Sequence, residues 1–224
     1  MQYMHSIPVT VFDNFLDDPN KVRNWALQQE YFPASLGKWP GLRTKALHEL
    51  NKPLFDLICR KFFSQFFDLE NQKEIKWEVT MNFQNVDDKY HSGWIHSDEE
   101  TSQITGILYL SPNSNLDGGT SIFREKSNVV QHVHEHTVKK QDSYTKKVSI
   151  EEVKKYKDVH NSQFEETIRI SNVYNRLICF DSHLHHAAQN FFGSDINARL
   201  TLVFFVKKLF VNTTPVSRVR RITA

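Results

Sequence analysis

Trp94-Ile95-His96-Ser97-Asp98-Glu99-Glu100 lies near the middle of a 224-residue chain and decides how the rest is read. His96 and Asp98 are two positions apart. On extended backbone, side chains at i and i+2 point to the same face, so an imidazole and a carboxylate converge on one point. Such a pair can supply two of the three ligands of a 2-His-1-carboxylate facial triad, the set that holds non-haem Fe(II) and leaves coordination positions open. Taken alone, H-x-D is a common pattern, and a polar edge strand or turn accounts for an isolated match more readily. The reading therefore turns on what lies downstream.

A second imidazole has to come from far along the chain. His183, His185 and His186 are the candidates, within Phe180-Asp181-Ser182-His183-Leu184-His185-His186-Ala187. Between Asp98 and His186 lie enough residues for several strands. Arg199 follows His186 by 13 positions, on the next expected strand. A strand–turn–strand of that length can bring a guanidinium beside a metal without ligating it. There it can take a carboxylate bidentately.

The surrounding pattern is mostly that of strands. Trp77, Val79, Met81 and Phe83 alternate with Glu78, Thr80, Asn82 and Gln84, a strand with one apolar and one polar face. Further strands are expected at Ile7–Phe12, Ile104–Leu110, Ser121–Phe123, Leu177–Phe180 and Leu200–Val206. Two helices precede them. Asp18 is placed to cap the first, with Pro19 at its first position, and it runs through Val22, Trp25 and Ala26 toward Tyr31. Pro33 to Arg43 reads as a loop. The second helix spans Thr44 to Phe67, with Leu47, Leu50, Leu54, Leu57, Ile58, Phe62 and Phe66 near a 3.6-residue period and Pro53 marking a start; its apolar stripe reads as core. Helices followed by many short strands predict an α+β chain that is mainly β: a jelly roll supported by N-terminal helices over residues 1–70. Seventeen Phe suit wide aromatic packing in such a core.

Arg124 to Ser171 differs in character. It is polar and lysine-rich, with His132, His134 and His136 in alternation and a capping box at Ser149-Ile150-Glu151-Glu152 before a short helix ending near Lys157. It reads as an insertion (124–171) in a single domain covering 1–224, and as a cover on the substrate side of the core. Three alternating imidazoles can bind zinc, but no fourth ligand is spaced nearby, and a polar loop is the simpler reading.

Composition removes several function classes. Net charge is +2, too little to argue for nucleic acid. No apolar run approaches the ~20 residues of a membrane span. The N-terminus lacks the regions of a secretory signal. Two cysteines, Cys59 and Cys179, make no disulfide framework, which points to a reducing, cytoplasmic compartment.

His96-x-Asp98, His186 and Arg199 together resemble the Fe(II)/2-oxoglutarate-dependent dioxygenases. Ile107-Leu108-Tyr109-Leu110-Ser111 followed by Gly118-Gly119-Thr120-Ser121-Ile122-Phe123 resembles the prolyl 4-hydroxylase branch, whose members commonly read Tyr-Leu-Asn and then Gly-Gly-x-Thr-x-Phe. Tyr174-Asn175-Arg176-Leu177 and Asp13-Asn14-Phe15-Leu16-Asp17-Asp18-Pro19 are similar to stretches in uncharacterised bacterial and phage members, which would place a viral chain in the host cytoplasm. The resemblance covers most of the chain except 124–171 and the tail. It implies a double-stranded β-helix with Fe(II) held by His96, Asp98 and His186. His186 is selected because family strands run from a Phe-Pro-Ser-like turn to a histidine six residues after the Phe; Phe180 and His186 keep that spacing, with Asp181 in place of the Pro. It also implies that Arg199 and the Tyr109 hydroxyl hold the distal carboxylate of 2-oxoglutarate, with Thr201 on the same face assisting. The resemblance further implies O2 as co-reactant and hydroxylation of a C–H bond on an unknown primary substrate, a protein or peptide side chain being one candidate.

Two alternatives stay open. Met81-Asn82-Phe83-Gln84 and Gly93-Trp94-Ile95-His96-Ser97-Asp98-Glu99-Glu100 also resemble the alkylated-base dealkylases of the same superfamily, in which an Asn on this strand binds cosubstrate. That makes Asn82 a candidate, but the second arginine those enzymes carry is Phe at 205 here. A basic tail with Arg218, Arg220 and Arg221 permits a nucleic-acid groove without requiring one. The other alternative is a non-catalytic jelly-roll module whose metal is structural.

Overall fold

The computed structural model describes residues 7–34, 38–69, 75–98, 102–112, 115–126, 140–142, 144 and 150–210. His132, His134, His136, Ser149 of the capping box and the basic tail lie outside them. Among the described residues, the strands and α-helices with both ends in view are, in order, β1 (Thr10–Phe12), α1 (Pro19–Leu27), β2 (Tyr31–Pro33), β3 (Leu42–Thr44), α2 (Leu47–Leu50), α3 (Lys52–Ser64), β4 (Lys76–Val86), β5 (Ile104–Tyr109), β6 (Thr120–Glu125), α4 (Ile150–Asn161), β7 (Phe164–Ile170), β8 (Leu177–Asp181), β9 (His185–Ala188) and β10 (Arg199–Phe210). The strands form two antiparallel sheets. One has seven strands in the order β1-β8-β5-β10-β4-β3-β2, and the other three in the order β7-β6-β9. Non-consecutive neighbours across two facing sheets are the double-stranded β-helix arrangement the sequence predicts.

Alternation on β10 explains the layering. Leu200, Leu202, Phe204 and Val206 point to one face of the large sheet and pack against the helices, joined there by Ile58, Cys59, Phe62, Phe63, Met81 and Phe83. Arg199, Thr201 and Val203 point to the other face, toward the small sheet, where Ile107, Tyr109, Ile122, Ile170, Ile178 and Phe180 make a second, smaller core. Each buried Phe stabilises the fold by roughly 1.5–3 kcal/mol. The Phe62 and Phe204 rings meet edge to face at 5.0 Å, the arrangement aromatic quadrupoles prefer. Gly106 pairs with Phe204 across the sheet, and a Cβ there would lie 2.0 Å from the Phe204 ring. Both cysteines are free and buried. Among the described residues no helix is long and apolar enough to cross a membrane.

Local chemistry sets the helix starts. The Asp18 carboxylate accepts from Lys21 N at 2.9 Å, capping α1 as expected, with Pro19 behind it. The expected helix over 44–67 is two helices. Asn51, at φ −153°, leaves helical geometry, and its side chain accepts from Leu54 N at 3.0 Å to cap α3; the apolar period runs through this break, so periodicity alone does not reveal it. The expected loop over 33–43 contains β3 and the end of β2, while Tyr31 lies in β2 rather than in α1. The first strand is shorter than 7–12 because β1 pairs with β8 at three positions.

Within 124–171, the described residues from 150 onward pack against the rest of the chain. β7 pairs with β6 at six positions and forms one edge of the small sheet. Its sequence, Phe-Glu-Glu-Thr-Ile-Arg-Ile, is exposed along most of its length, so it carries no buried alternation to announce a strand. α4 extends to Asn161, beyond the expected end at Lys157. It is tied to the His96 segment: Lys157 Nζ donates to Ser92 O at 3.1 Å, and Asn161 Oδ1 accepts from Ile95 N at 3.1 Å. His160 Nε2 lies 2.7 Å from Ile95 O. The described end of α4 is therefore anchored to the segment that carries His96.

Candidate metal centre

His96 and Asp98 do not lie in a regular strand. His96 forms an isolated antiparallel bridge with His186: its N–H donates to His186 O at 3.1 Å, and its carbonyl accepts from His186 N–H at 2.8 Å. Asp98 N donates to Ser182 O at 2.8 Å. Two residues apart and stitched to the β8–β9 turn, the side chains converge as the i, i+2 spacing predicts. One ligand atom from each of His96, Asp98 and His186 lies within 4.8 Å of the others. His186 Nε2 is 3.3 Å from Asp98 Oδ2, and His96 Nε2 is 3.7 Å from Asp98 Oδ1. Ligand bonds of about 2.1 Å call for adjacent donors about 3 Å apart, so a small contraction accommodates an ion.

The backbone orients both rings. His96 Nδ1 lies 2.8 Å from Trp94 O and His186 Nδ1 3.0 Å from Leu184 O. A carbonyl can only accept, so Nδ1 carries the proton and Nε2 presents its lone pair to the centre. Desolvation holds His96 well below its ordinary pKa, reinforced by the positive charge of Lys140, which keeps the imidazole a neutral donor. Burial alone would raise the Asp98 carboxyl; the neighbouring imidazoles of His186 and His96 and the Thr105 hydroxyl overcome that and hold it below the usual carboxylate range. Thr105 Oγ1 donates to Asp98 Oδ2 at 2.9 Å and sits 2.9 Å from Ser182 Oγ. Thr105 was not singled out from the sequence, although it shares strand parity with Ile107 and Tyr109.

The other histidines are not brought in. His183 Nδ1 pairs with Asp181 at 2.6 Å and is mostly exposed. His185 pairs with Glu125 at 3.5 Å. Phe180 packs its ring 4.7 Å from that of His186.

Deeper between the sheets lies a second cluster. Arg199 is 4% exposed and Thr201 0%. Arg199 Nε donates to Gly118 O at 2.7 Å, and its guanidinium carbon lies 5.4 Å from the Tyr109 ring centroid and 5.7 Å from that of Phe191. Tyr109 OH donates to Thr120 Oγ1 at 2.9 Å. The Gly118-Gly119-Thr120 stretch thus forms one wall around the arginine. At Gly119 a Cβ would fall 1.8 Å from Ile170 O, so only glycine lets β6 run this close to β7. Arg199 Nη2 and Thr201 Oγ1 are buried with no hydrogen-bond partner among the described residues. Burial pulls the Arg199 pKa down and only Tyr109 offsets it; no acid does. A permanent charge left this way is costly, and the two open polar atoms fit a carboxylate. Burial likewise raises the Tyr109 phenol, leaving it a neutral donor.

Asn82 also faces inward, paired with Val203, but its Nδ2 donates to Thr44 O at 2.9 Å and so joins β4 to β3.

Solved structures of low identity share this fold. One is a prolyl hydroxylase from Trichoplax adhaerens in complex with a hypoxia-inducible-factor peptide fragment (12% identity, 89% of this chain and 83% of that chain, TM-score 0.50). Another is HygX from Streptomyces hygroscopicus with nickel, 2-oxoglutarate and hygromycin B bound (9%, 90% and 84%, 0.51). A third is EvdO2 from Micromonospora carbonacea var. aurantiaca (10%, 96% and 97%, 0.51). The fold is thus one shared with a prolyl hydroxylase and with a protein that binds 2-oxoglutarate and nickel. No curated protein matches the chain. A family model does match residues 2–206, nearly the whole chain, and by it this protein belongs to DUF6445, described as a family of unknown function.

Proposed function

We propose that this chain is an Fe(II)- and 2-oxoglutarate-dependent dioxygenase that hydroxylates an unactivated C–H bond. The observation that carries the reading is the pairing of two features on one barrel interior: three converging neutral-or-anionic donors, and beyond them a buried arginine and threonine with open polar atoms. His96, Asp98 and His186 would hold the metal. Two imidazoles and one carboxylate suit Fe(II) and leave half of an octahedron open. Arg199, Thr201 and Tyr109 would take the distal carboxylate of 2-oxoglutarate; Asn82, a strand away and already bonded through Nδ2, would contribute at most its oxygen. When bound, Fe(II) with 2-oxoglutarate and O2 supplies the oxidation, in which the cosubstrate loses CO2 to become succinate and one oxygen atom enters the C–H bond.

The chain's own groups do the rest. The Nδ1–carbonyl bonds hold the imidazoles in one tautomer. Thr105 and Ser182 keep the Asp98 carboxylate from rotating. Arg199 fixes one end of the cosubstrate so that its other end reaches the metal, and the apolar residues of the small core exclude water from between them.

Support for a protein or peptide substrate comes from the Trichoplax neighbour, solved with a peptide; HygX was solved with hygromycin B, so the fold admits both. The dealkylase and the non-catalytic module remain the competing readings. Asp98→Ala decides between enzyme and module. It should abolish both Mn(II) binding, read by electron paramagnetic resonance, and iron-dependent succinate formation, with the melting profile retained. Wild-type protein that binds 2-oxoglutarate but never forms succinate with any substrate, or an Asp98→Ala variant that still binds Mn(II), would count against the proposal.

A further inference from the structure

Arg43 lies in a stretch whose sequence reads as loop, yet it occupies the middle of β3 and faces the barrel interior. In register it pairs with Gln84, Gln84 with Thr201, and Thr201 with Tyr109. One row of the large sheet thus runs from Arg43 to the proposed cosubstrate pocket. Strands are spaced about 4.8 Å apart, so Arg43 starts about 10 Å from Thr201. Its guanidinium carbon stacks 4.5 Å from the Trp39 ring centroid and 5.7 Å from that of Phe205. Phe205 pairs in turn with Thr105, the residue that holds Asp98. The guanidinium therefore lies on the inner face, to the β3 side of the anion pocket and against Phe205, whose strand partner holds a metal ligand.

Its own bonding is incomplete. Nη2 donates to the neutral Gln84 Oε1 at 3.1 Å. Nε is buried with no partner among the described residues, and so is Trp39 Nε1 beside it. Two enclosed donors thus lack an acceptor. Burial draws the arginine down to about 10, with the negative charge of Asp98 pulling back. Lys140 adds a second cation that feels both Asp98 and Arg43. The acid that both cations feel is Asp98, which a metal would claim.

We propose that Arg43, with Trp39 and Phe205, forms the subsite for an anionic group, a carboxylate or a phosphate, on the primary substrate, and so sets the oxidised C–H bond beside the metal. This rests on the function proposed above and adds the substrate's chemistry to it.

The test uses full-length protein loaded with Mn(II) and saturated with 2-oxoglutarate. Phenylglyoxal modification of Arg43 is followed by residue-resolved mass spectrometry, with inorganic phosphate or acetate added. At least one anion should slow the modification, and the more protective one names the group. Calorimetry should show that Arg43→Gln weakens binding of that anion about ten- to hundredfold, the loss of a charge-assisted bond, that Arg43→Lys restores part of it, and that 2-oxoglutarate affinity is unchanged. Arg43 reacting equally fast with and without either anion overturns the subsite, while 2-oxoglutarate affinity that still depends on Arg199 leaves the enzyme reading standing. Should Arg43→Gln weaken 2-oxoglutarate and Arg199→Lys not, the cosubstrate is anchored at Arg43, and both the substrate subsite and the Arg199 anchor fail.

Discussion

Arg199→Lys isolates the fork geometry from the charge. In the folded chain the arginine divides its donors: Nε goes to Gly118 O at 2.7 Å, and Nη2 is left over. Its plane rests on Tyr109 and Phe191. Lysine keeps the positive charge but presents a single nitrogen on a rotating stem. That ammonium cannot reach Gly118 O and a carboxylate with the same two-point geometry, so one charge-assisted hydrogen bond is lost. Such a bond contributes roughly 1.5–3 kcal/mol, equivalent to about ten- to hundredfold in dissociation constant. Calorimetric titration of Mn(II)-loaded protein with 2-oxoglutarate reads this directly. Mn(II) affinity itself should change little, because Arg199 is not among the converging donors. Equal 2-oxoglutarate affinity in wild type and variant would refute the reasoning, since it would mean that the open Nη2 does not meet the cosubstrate.

Three further outcomes test other parts of the structure. Gly119→Ala forces a methyl against Ile170 O and should destabilise the fold by about 1–3 kcal/mol; a urea midpoint equal to that of wild type would show that β6 and β7 can move apart. Asn161→Ala removes the acceptor for Ile95 N next to His96 and should weaken Mn(II) binding about ten- to hundredfold, the usual scale for supports behind a metal ligand, with unchanged affinity showing that α4 does not orient the site. For pH dependence, Arg176 Nε and Nη2 donate to Asp13 at 2.6 and 2.9 Å, and this bond holds the carboxyl below its ordinary 3.8. A depressed folded-state pKa means the pair's stabilisation is present above about pH 4 and is lost as pH falls through the folded value. Asp13 is largely exposed, so the effect is small: Asp13→Asn should flatten the acid limb of a melting-temperature profile slightly, and parallel limbs in both proteins would dismiss the pair.

What the residues declared on their own was whatever depends on local spacing. The two-residue gap of His96 and Asp98 aims both side chains one way whether the backbone is a long strand or, as here, an isolated bridge. The alternation of Leu200 to Val206 separates helix-facing from interior positions, and thereby puts Arg199 and Thr201 together. Asp18 before Pro19 caps α1 because the cap bond spans three residues. The family resemblance extended this to His186, Tyr109 and the Gly118-Gly119-Thr120 stretch; His186 converges with His96 and Asp98, and Tyr109 and Gly118 lie against Arg199.

Only the tertiary structure decided what depends on partners far away in sequence. β7 is a strand because β6 offers it a ladder, not because its own mostly exposed residues have a buried period. Asn51 interrupts an apolar stripe that periodicity reads as continuous. Arg43 becomes an interior cation because β3 pairs with β4, which sets it in one row with Gln84, Thr201 and Tyr109. α4 reaches back across more than 60 residues to hold Ser92 and Ile95. Each of these is a long-range pairing whose partner leaves no mark on the local pattern, since hydrophobic spacing records which face is buried but not which strand or side chain will cover it.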